Sequence, residues 1–198
     1  MLRTIPPVTR NLLIANIIVF VLEFLVGPNV DYMIKDFGAL WTLDSGNFKV
    51  WQLITTVFMH HDFMHILFNM LALYSFGPYL ENAWGDRKYF SFYMICGIVA
   101  SLTYILLTPG IGMAVGASGA IMGVLVAFAM LYPEFELMMI FIPIPIKAKY
   151  LVPIIVAIDV FSQISGSSTG IAHWAHLGGA AAGAAMVYIY RRTGARRY

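Results

Sequence analysis

Long apolar runs alternate with short polar links along the chain, and this pattern predicts helices that cross a membrane. A spanning helix needs about 20 mostly apolar residues. Six stretches approach this length, and they lie at about residues 10–26, 62–79, 88–107, 118–131, 149–161 and 171–190. Few of the 198 residues remain for an aqueous domain. We therefore predict an all-α, polytopic membrane protein in which residues 1–198 form one domain with six transmembrane helices.

The longest connection, residues 27–50, mixes charged, glycine and aromatic residues. A connection longer than about 12–15 residues usually carries structure or function of its own. Its aromatic and apolar side chains favour an amphipathic piece in the membrane interface, and a solvated loop is the alternative. A second connection, residues 165–170, is rich in Gly and Ser and predicts a flexible link before the sixth span.

The fourth predicted span, residues 118–131, is short for a full crossing. Gly116 and Gly119 flank Ser118 at its start, and the loop before them is expected to dip below the membrane surface. Irregular backbone at that depth is tolerated only where it lines a buried or water-filled cavity. The pattern therefore predicts a cavity beside Ser118.

Composition supports the membrane assignment. Hydrophobic residues make up 60% of the chain and charged residues 11%, compared with about 25% charged residues in soluble proteins, and the mean hydropathy is +0.79. The single cysteine, Cys96, cannot form an intramolecular disulfide. No metal or other cofactor is expected from these features.

The basic residues predict the orientation. With six spans, both termini lie on the same side as the links between spans two and three and between spans four and five. Of the 12 Lys and Arg residues, only Lys35 and Lys49 fall on the other side. The positive-inside rule then makes the termini cytoplasmic. This topology accounts for the net charge of +2, so lipid and membrane proteins are the expected partners and nucleic acid is not.

Ionisable residues at membrane depth are costly, and they indicate function by default. All five histidines fall into two groups, His60, His61 and His65 at the start of span two, and His173 and His176 at the start of span six. Both groups lie at the predicted depth of Ser118. This shared depth is the strongest indication of a site in the sequence.

The spacing of these residues suggests how they cooperate. His65 and Asn69 are one helical turn apart and point the same way. Ser118 begins a helix, where free backbone N–H groups favour a developing negative charge. Small residues four apart let two membrane helices approach closely, and they occur in spans four and six at Gly119, Gly123, Gly179 and Gly183. Such packing would bring His176 beside Ser118 as a base beside a nucleophile, with an amide to stabilise an oxyanion.

Other functions fit individual residues. The segment from His61 to His65 could supply zinc ligands, but it lacks the glutamate of the His-Glu-x-x-His pattern. A proton-coupled transporter would use the same histidines, yet such proteins show paired broken helices, and we find no second copy of the loop around Ser118. A non-catalytic protein that binds membrane clients would lack the serine or the histidine, and both are present.

Taken together, the motifs resemble those of the rhomboid intramembrane serine proteases, over about residues 51–183. The matching elements are Phe58-Met59-His60, His65-Ile66-Leu67-Phe68-Asn69-Met70, Glu81 with Gly85, Gly116-Ala117-Ser118-Gly119, and Ala175-His176 with Gly179 and Gly183.

This resemblance implies a six-helix fold in which a Ser-His dyad opens into a water-filled cavity and cleaves transmembrane segments of other membrane proteins. By position, Ser118 is the expected nucleophile and His176 the general base. The oxyanion hole would consist of His65, Asn69 and the backbone N–H of Ser118. Residues 27–50 correspond to an interfacial element. The short extramembrane segments suit a compact bacterial form in the bacterial inner membrane.

Three points remain open within this expectation. Some family members carry an aromatic residue where this chain has Met122, so the histidine is expected to be positioned differently. His173 lies on nearly the same face as His176 and is a second candidate base, although the register of Gly179 and Gly183 favours His176. No Asp or Glu is expected at the depth of the dyad to orient the base, so slow turnover is expected.

Overall fold

The computed structural model describes residues 5–25, 27–139, 142–165 and 171–193. The predicted flexible link therefore lies outside the described residues except for Ser165. The described part contains eight α-helices: α1 (Pro7–Leu25), α2 (Gly27–Gly38), α3 (Gln52–Thr55), α4 (Phe63–Trp84), α5 (Asp86–Leu107), α6 (Ser118–Leu131), α7 (Ala148–Ile164) and α8 (His173–Arg192).

Six of these helices correspond to the six predicted spans. The largest difference is at the end of α4, which continues to Trp84 instead of ending near residue 79, so that only Gly85 separates it from α5. Gly85 has a φ of 80°, a left-handed conformation that glycine adopts readily at a helix end. By length and hydropathy, α1, α4 and α5 can each cross a membrane, and α6 is a shorter apolar helix.

The described residues are mostly helical, as predicted, and they also include two small antiparallel sheets that the sequence did not predict. One pairs β1 (Leu40–Trp41) with β2 (Met113–Ala114), and the other pairs β3 (Glu136–Met139) with β4 (Ile142–Lys147). The second is explained by the prolines of β4, which lack an N–H and disfavour helix. The first joins the long connection to the loop before α6, and so it helps to place Ser118.

Residues 27–50 contain α2, and hydrogen bonds join this segment to Trp51 and Gln52 at the start of α3. The buried Gln52 side chain accepts from the backbone N–H groups of Trp41, at 3.3 Å, and Lys49, at 3.1 Å. The indole N–H of Trp51 donates to the carbonyl oxygen of Phe37 at 2.9 Å. The segment is therefore ordered by polar contacts with α3, whereas the alternative was a solvated loop.

One end of the molecule joins the start of α1 to the end of α4 through a buried carboxylate. Glu81 is 2% exposed, and its two oxygens accept from the backbone N–H groups of Val8 and Thr9 at 2.7 Å each. The hydroxyl of Thr9 donates to it as well, at 2.6 Å. Glu81 thus satisfies N–H groups that have no partner inside α1.

The same end collects basic side chains, and we call it the basic end. The ammonium group of Lys88, at the start of α5, lies 4.0 Å from the ring centroid of Tyr190, near the end of α8. Arg191 donates to the carbonyl oxygen of Met130, near the end of α6, at 2.5 Å. The N–H of Lys149, at the start of α7, donates to the carbonyl oxygen of Pro133, just after α6, at 3.1 Å. Helices α1, α5 and α7 therefore start here, and α4, α6 and α8 end here. The opposite end, where α4, α6 and α8 start, is the cavity end.

Helix α6 is the centre of the core. Most of its side chains are buried, and it packs against α4, α5, α7 and α8. The largest fully buried side chains beside it are aromatic, and they are Tyr89, Phe92, Tyr93 and Phe128. Ser118, the first residue of α6, is therefore held by one of the most tightly packed helices of the fold.

Candidate active site

The loop before α6 is fixed from two sides. Its β2 strand pairs with β1, and the N–H of Gly116 donates to the carbonyl oxygen of Thr56 at 3.0 Å. The hydroxyl of Thr56 donates to the carbonyl oxygen of Ala114 at 2.8 Å. Gly116 has a φ of 129°, which a residue with a side chain adopts only with strain. This turn presents Ser118 at the cavity end.

Helices α6 and α8 meet backbone to backbone, along the glycines expected from the sequence. A methyl group placed on Gly179 would overlap the carbonyl oxygen of Gly119. One placed on Gly183 would lie 2.7 Å from the α-carbon of Gly123, which is far inside van der Waals contact. Only glycine permits this approach at these positions, and His176 stands one turn before Gly179 on the same face.

This approach brings the predicted nucleophile and base together. The Nε2 atom of His176 lies 2.7 Å from the hydroxyl oxygen of Ser118, a normal length for a hydrogen bond. A neutral imidazole can accept the serine proton at this nitrogen, provided that its other nitrogen carries the hydrogen. Of the two candidate bases, His176 contacts the Ser118 hydroxyl, and both His176 and His173 also contact a second group.

That group is Asp159 of α7, and it overturns the expectation that no carboxylate lies at the depth of the dyad. The Nδ1 atom of His176 lies 3.2 Å from both carboxylate oxygens of Asp159. The Nδ1 atom of His173 lies 2.5 Å from one of them. Asp159 and His173 are 7% and 6% exposed.

The sequence contained a signal for Asp159 that the expectation overlooked. The residue falls inside the predicted fifth span, and an ionisable residue at membrane depth indicates function by default. The observed α7 continues to Ile164, so its last turns reach the cavity end, level with the first turn of α8. Depth along a span depends on where the helix ends, which the sequence leaves undetermined near residue 165.

The predicted oxyanion-hole residues lie on α4, across the cavity from α8. A methyl group on Gly116 would lie 2.7 Å from Nε2 of His65 and 3.6 Å from the hydroxyl oxygen of Ser118, so both side chains border this one turn. The carboxylate of Asp62 caps α4 by accepting from the N–H of His65 at 2.9 Å. This hydrogen bond is the main cause that lowers the pKa of Asp62 below its ordinary value.

Asn69 supplies a donor that is not in use. Its side chain is 6% exposed, and within the described residues its Nδ2 atom has no hydrogen-bond acceptor. A buried amide without an acceptor is costly, by about 1–3 kcal/mol. Because Asn69 lines the cavity that contains Ser118, this donor is available to a group that enters the cavity.

The cavity itself has a volume of about 680 Å³. Its polar lining includes His65 and Asn69 of α4, Ser118 of α6 and His176 of α8. Its apolar lining includes Met64, Phe68, Tyr104 and Trp174. A space of this size admits an extended stretch of a few residues, with its apolar side chains against the apolar lining.

Among the described residues, Asp159, His173 and His176 form the one group of possible metal ligands whose donor atoms lie within 4.8 Å of one another. The histidines considered as zinc ligands from the sequence, His60, His61 and His65, do not form such a group. Two ligands on one tetrahedral zinc ion, at about 2.0–2.1 Å from it, lie about 3.3 Å apart. The 2.5 Å between Asp159 and His173 is instead the length of a hydrogen bond.

Comparison with known proteins agrees with the motifs. The family model of the Rhomboid domain matches residues 47–193. Rhomboid protein 1, a mitochondrial protein of Saccharomyces cerevisiae, is 39% identical over 99 residues, which cover 48% of this chain and 29% of the yeast protein. Rhomboid-like protease 3 of Toxoplasma gondii is 26% identical over 183 residues, or 90% of this chain and 67% of that protein.

A bacterial relative, YdcA of Bacillus subtilis, is 28% identical over 164 residues, which cover 83% of this chain and 79% of its own length. The chain spans about a third of the length of the mitochondrial relatives that it matches. The residues that the family model matches, 47–193, include the serine loop and the histidine helix.

Proposed function

Because the chain belongs to the rhomboid family, we propose that this integral membrane protein is a serine endopeptidase that cleaves transmembrane segments of other membrane proteins in or near the bilayer. The observation that carries the proposal is the 2.7 Å contact between the Ser118 hydroxyl and Nε2 of His176, beside a cavity of about 680 Å³. A serine paired with a base is the arrangement that activates a weak nucleophile.

In this mechanism, Nε2 of His176 takes the hydroxyl proton as the oxygen of Ser118 attacks the peptide carbonyl carbon. The carbonyl oxygen becomes an oxyanion, which His65, the amide of Asn69 and the backbone N–H of Ser118 stabilise. His176 then gives its proton to the leaving nitrogen as the C–N bond breaks, which leaves an acyl group on Ser118. Water deprotonated by His176 hydrolyses this ester and restores the serine.

The substrate must expose a peptide bond that a regular helix keeps in hydrogen bonds. We infer that cleavage favours spans weakened by Gly or Pro, because their helix is less stable at those residues. A small residue beside the scissile bond fits the narrow turn around Gly116. The apolar lining from Met64, Phe68 and Trp174 suits the apolar flanks of such a segment.

We also propose that residues 1–198 form one membrane domain with six crossings. The support is the alternation of helix directions, since α1, α5 and α7 start at the basic end and α4, α6 and α8 end there. By the positive-inside rule, the basic end and both termini face the cytoplasmic side. The relatives include mitochondrial proteins, so they do not support the expected bacterial inner membrane, and no particular membrane is proposed.

Cleavage and active-site labelling in parallel test the proposed function. The full chain is reconstituted in lipid vesicles with a model transmembrane substrate that carries a Gly-Pro weakness, and a fluorophosphonate probe reports the reactive serine. We expect that Ser118→Ala and His176→Ala abolish both signals. Ser91→Ala, which removes an exposed serine of α5, is the matched control and should leave both unchanged. Cleavage by Ser118→Ala, or labelling of another serine, would contradict the proposal, as would the absence of both signals in the wild type.

A further inference from the structure

The proposed reaction uses Ser118, His176 and the α4 donors, and it leaves unexplained a buried carboxylate that contacts the base. We propose that Asp159 is a positioning residue that holds His176 in the tautomer and orientation needed to deprotonate Ser118, with His173 as the second donor that anchors the carboxylate. The reaction would then run on a triad of Ser118, His176 and Asp159. This inference rests on the proposed protease function.

The hydrogen bonds decide the tautomer. An ionised carboxylate only accepts hydrogen bonds, so the Nδ1 atom of His176, at 3.2 Å from both oxygens of Asp159, carries the hydrogen. The Nε2 atom of a neutral ring is then free to accept, and it is the atom that faces the Ser118 hydroxyl at 2.7 Å. Without the carboxylate, either nitrogen of His176 could carry the hydrogen, and the other tautomer cannot accept the serine proton.

The charge of Asp159 needs more than one donor, because the side chain is only 7% exposed and an unpaired buried carboxylate is strongly disfavoured. His173 provides the second donor, through Nδ1 at 2.5 Å. His173 and His176 are three residues apart on α8, so they lie on one face and both reach the same residue of α7. The carboxylate therefore joins α7 to α8 while it orients the base.

The same carboxylate can stabilise the imidazolium that forms on His176 during the reaction. The other titratable groups around His176 are His173, on the next turn of α8, and His65, across the cavity on α4. Neither offers a negative charge. Asp159 is thus the one anionic group among the described residues that contacts the base, and its removal should affect the chemical step more than substrate binding.

The experiment compares Asp159→Asn and His173→Gln with the wild type in the full-length, reconstituted protein. For Asp159→Asn we expect kcat to fall by about 10²- to 10⁴-fold while KM stays within about twofold. The acid limb of the kcat/KM profile should move to lower pH, because the imidazolium of His176 loses its negative neighbour. His173→Gln keeps an N–H donor near the carboxylate, and its kcat should fall by about tenfold or less.

The matched control is Asp36→Asn, which makes the same chemical change at an exposed position of α2 and should leave kcat unchanged. Thermal unfolding of each variant shows whether it is folded, and Asp159→Glu tests whether a displaced carboxylate restores part of the rate. The double variant Asp159→Asn with His173→Gln should be no slower than Asp159→Asn alone, because both residues act through one carboxylate.

Three results would overturn the proposal. A folded Asp159→Asn variant with unchanged kcat and pH profile would show that the carboxylate only joins the helices. Equal losses in Asp159→Asn and Asp159→Glu that follow the unfolding temperature would show the same. Loss of wild-type activity in a chelator, with recovery on added zinc, would make Asp159 a metal ligand. Failure of the proposed function is distinct, since Ser118→Ala would then cleave as well as the wild type.

Discussion

The two walls of the cavity differ in whether their polar side chains already have hydrogen-bond partners. In the α6–α8 wall, formed by Ser118, His173 and His176, each side chain has a hydrogen-bond partner before any substrate enters, and Asp159 of α7 is a partner of both histidines. In the α4 wall, formed by His65 and Asn69, a buried amide donor has no acceptor among the described residues. The side chains of the α6–α8 wall are therefore hydrogen-bonded without a substrate, whereas the α4 wall has an amide donor without an acceptor among the described residues.

This difference matches the two separate roles that the walls have in the proposed reaction. The α6–α8 wall must hold a proton path in one geometry at all times, and hydrogen bonds within the protein can do this. The α4 wall must favour a negative charge that exists only during the reaction, so its donors gain more from the transition state than from the ground state. A donor without an acceptor lowers the stability of the resting protein. It is expected where a site stabilises a negative charge that forms only during the reaction.

The largest effect is expected from separating the helices of the α6–α8 wall. A methyl group in Gly179→Ala overlaps the carbonyl oxygen of Gly119, so α8 must move away from α6 and take His176 with it. We expect cleavage to fall by about 10³-fold or more, with unfolding about 1–3 kcal/mol easier. Ala181→Val adds carbon at an exposed position of α8 and should keep near-normal activity. Normal cleavage by Gly179→Ala would mean that the contact does not place the base.

The next largest effect is expected at the α4 wall, in Asn69→Ala. Loss of an oxyanion donor lowers kcat by about 10²- to 10³-fold, and KM should change little because the interaction forms in the transition state. The variant should unfold no more easily than the wild type, because the deleted amide lacks an acceptor for Nδ2. Asn82→Ala, at an exposed position of the same helix, serves as the control. A rise in KM with unchanged kcat would assign Asn69 to substrate binding instead.

A smaller effect is expected where the two walls meet, in Gly116→Ala. The added methyl lies 2.7 Å from Nε2 of His65, and the backbone φ of 129° is strained for alanine. Gly110→Ala introduces strain at a φ of 76° with no atom near the methyl. Both variants should lose about 1–3 kcal/mol of stability, but only Gly116→Ala should lose about tenfold in kcat. Equal activities would show that His65 tolerates displacement.

The smallest effect on activity is expected outside both walls, at Glu134 near the basic end. Hydrogen bonds from Lys147 and Lys149 lower the pKa of Glu134 from its ordinary 4.5 to about 2. A lowered pKa in the folded state stabilises the fold above about pH 4.5, and this stabilisation disappears as the pH falls toward 2. The wild type should therefore unfold at a higher temperature than Glu134→Gln at pH 7 and at the same temperature near pH 2, with equal kcat at pH 7.

The nearby variant Glu136→Gln is the control for this pH dependence, since its side chain is exposed and forms no ion pair with another described residue. A difference between the wild type and Glu134→Gln that persists at pH 2 would show that the lysine contacts are not its cause.

The sequence predicted the parts of this protein that follow a local rule. Apolar runs located six of the helices, and the spacing of Gly119, Gly123, Gly179 and Gly183 predicted the contact that brings His176 to Ser118. The strands β1 and β2 could not be predicted, because two-residue strands have no periodic pattern and their partners are far apart in the chain. Asp159 lies inside the predicted fifth span, where an ionisable residue is a signal that was overlooked. Its depth relative to Ser118 could not be predicted, because that depth depends on the end of α7.

Glu81 accepts hydrogen bonds from Val8 and Thr9. The fold therefore depends on residues that precede the region matched by the family model. The family match begins at residue 47, whereas α1 ends at Leu25. A shortened protein without α1 would lose the three hydrogen bonds that the Glu81 carboxylate accepts, at a cost on the order of 3 kcal/mol. The boundary of the family match is therefore not a safe place to truncate this chain, because α1 lies before it and holds Glu81.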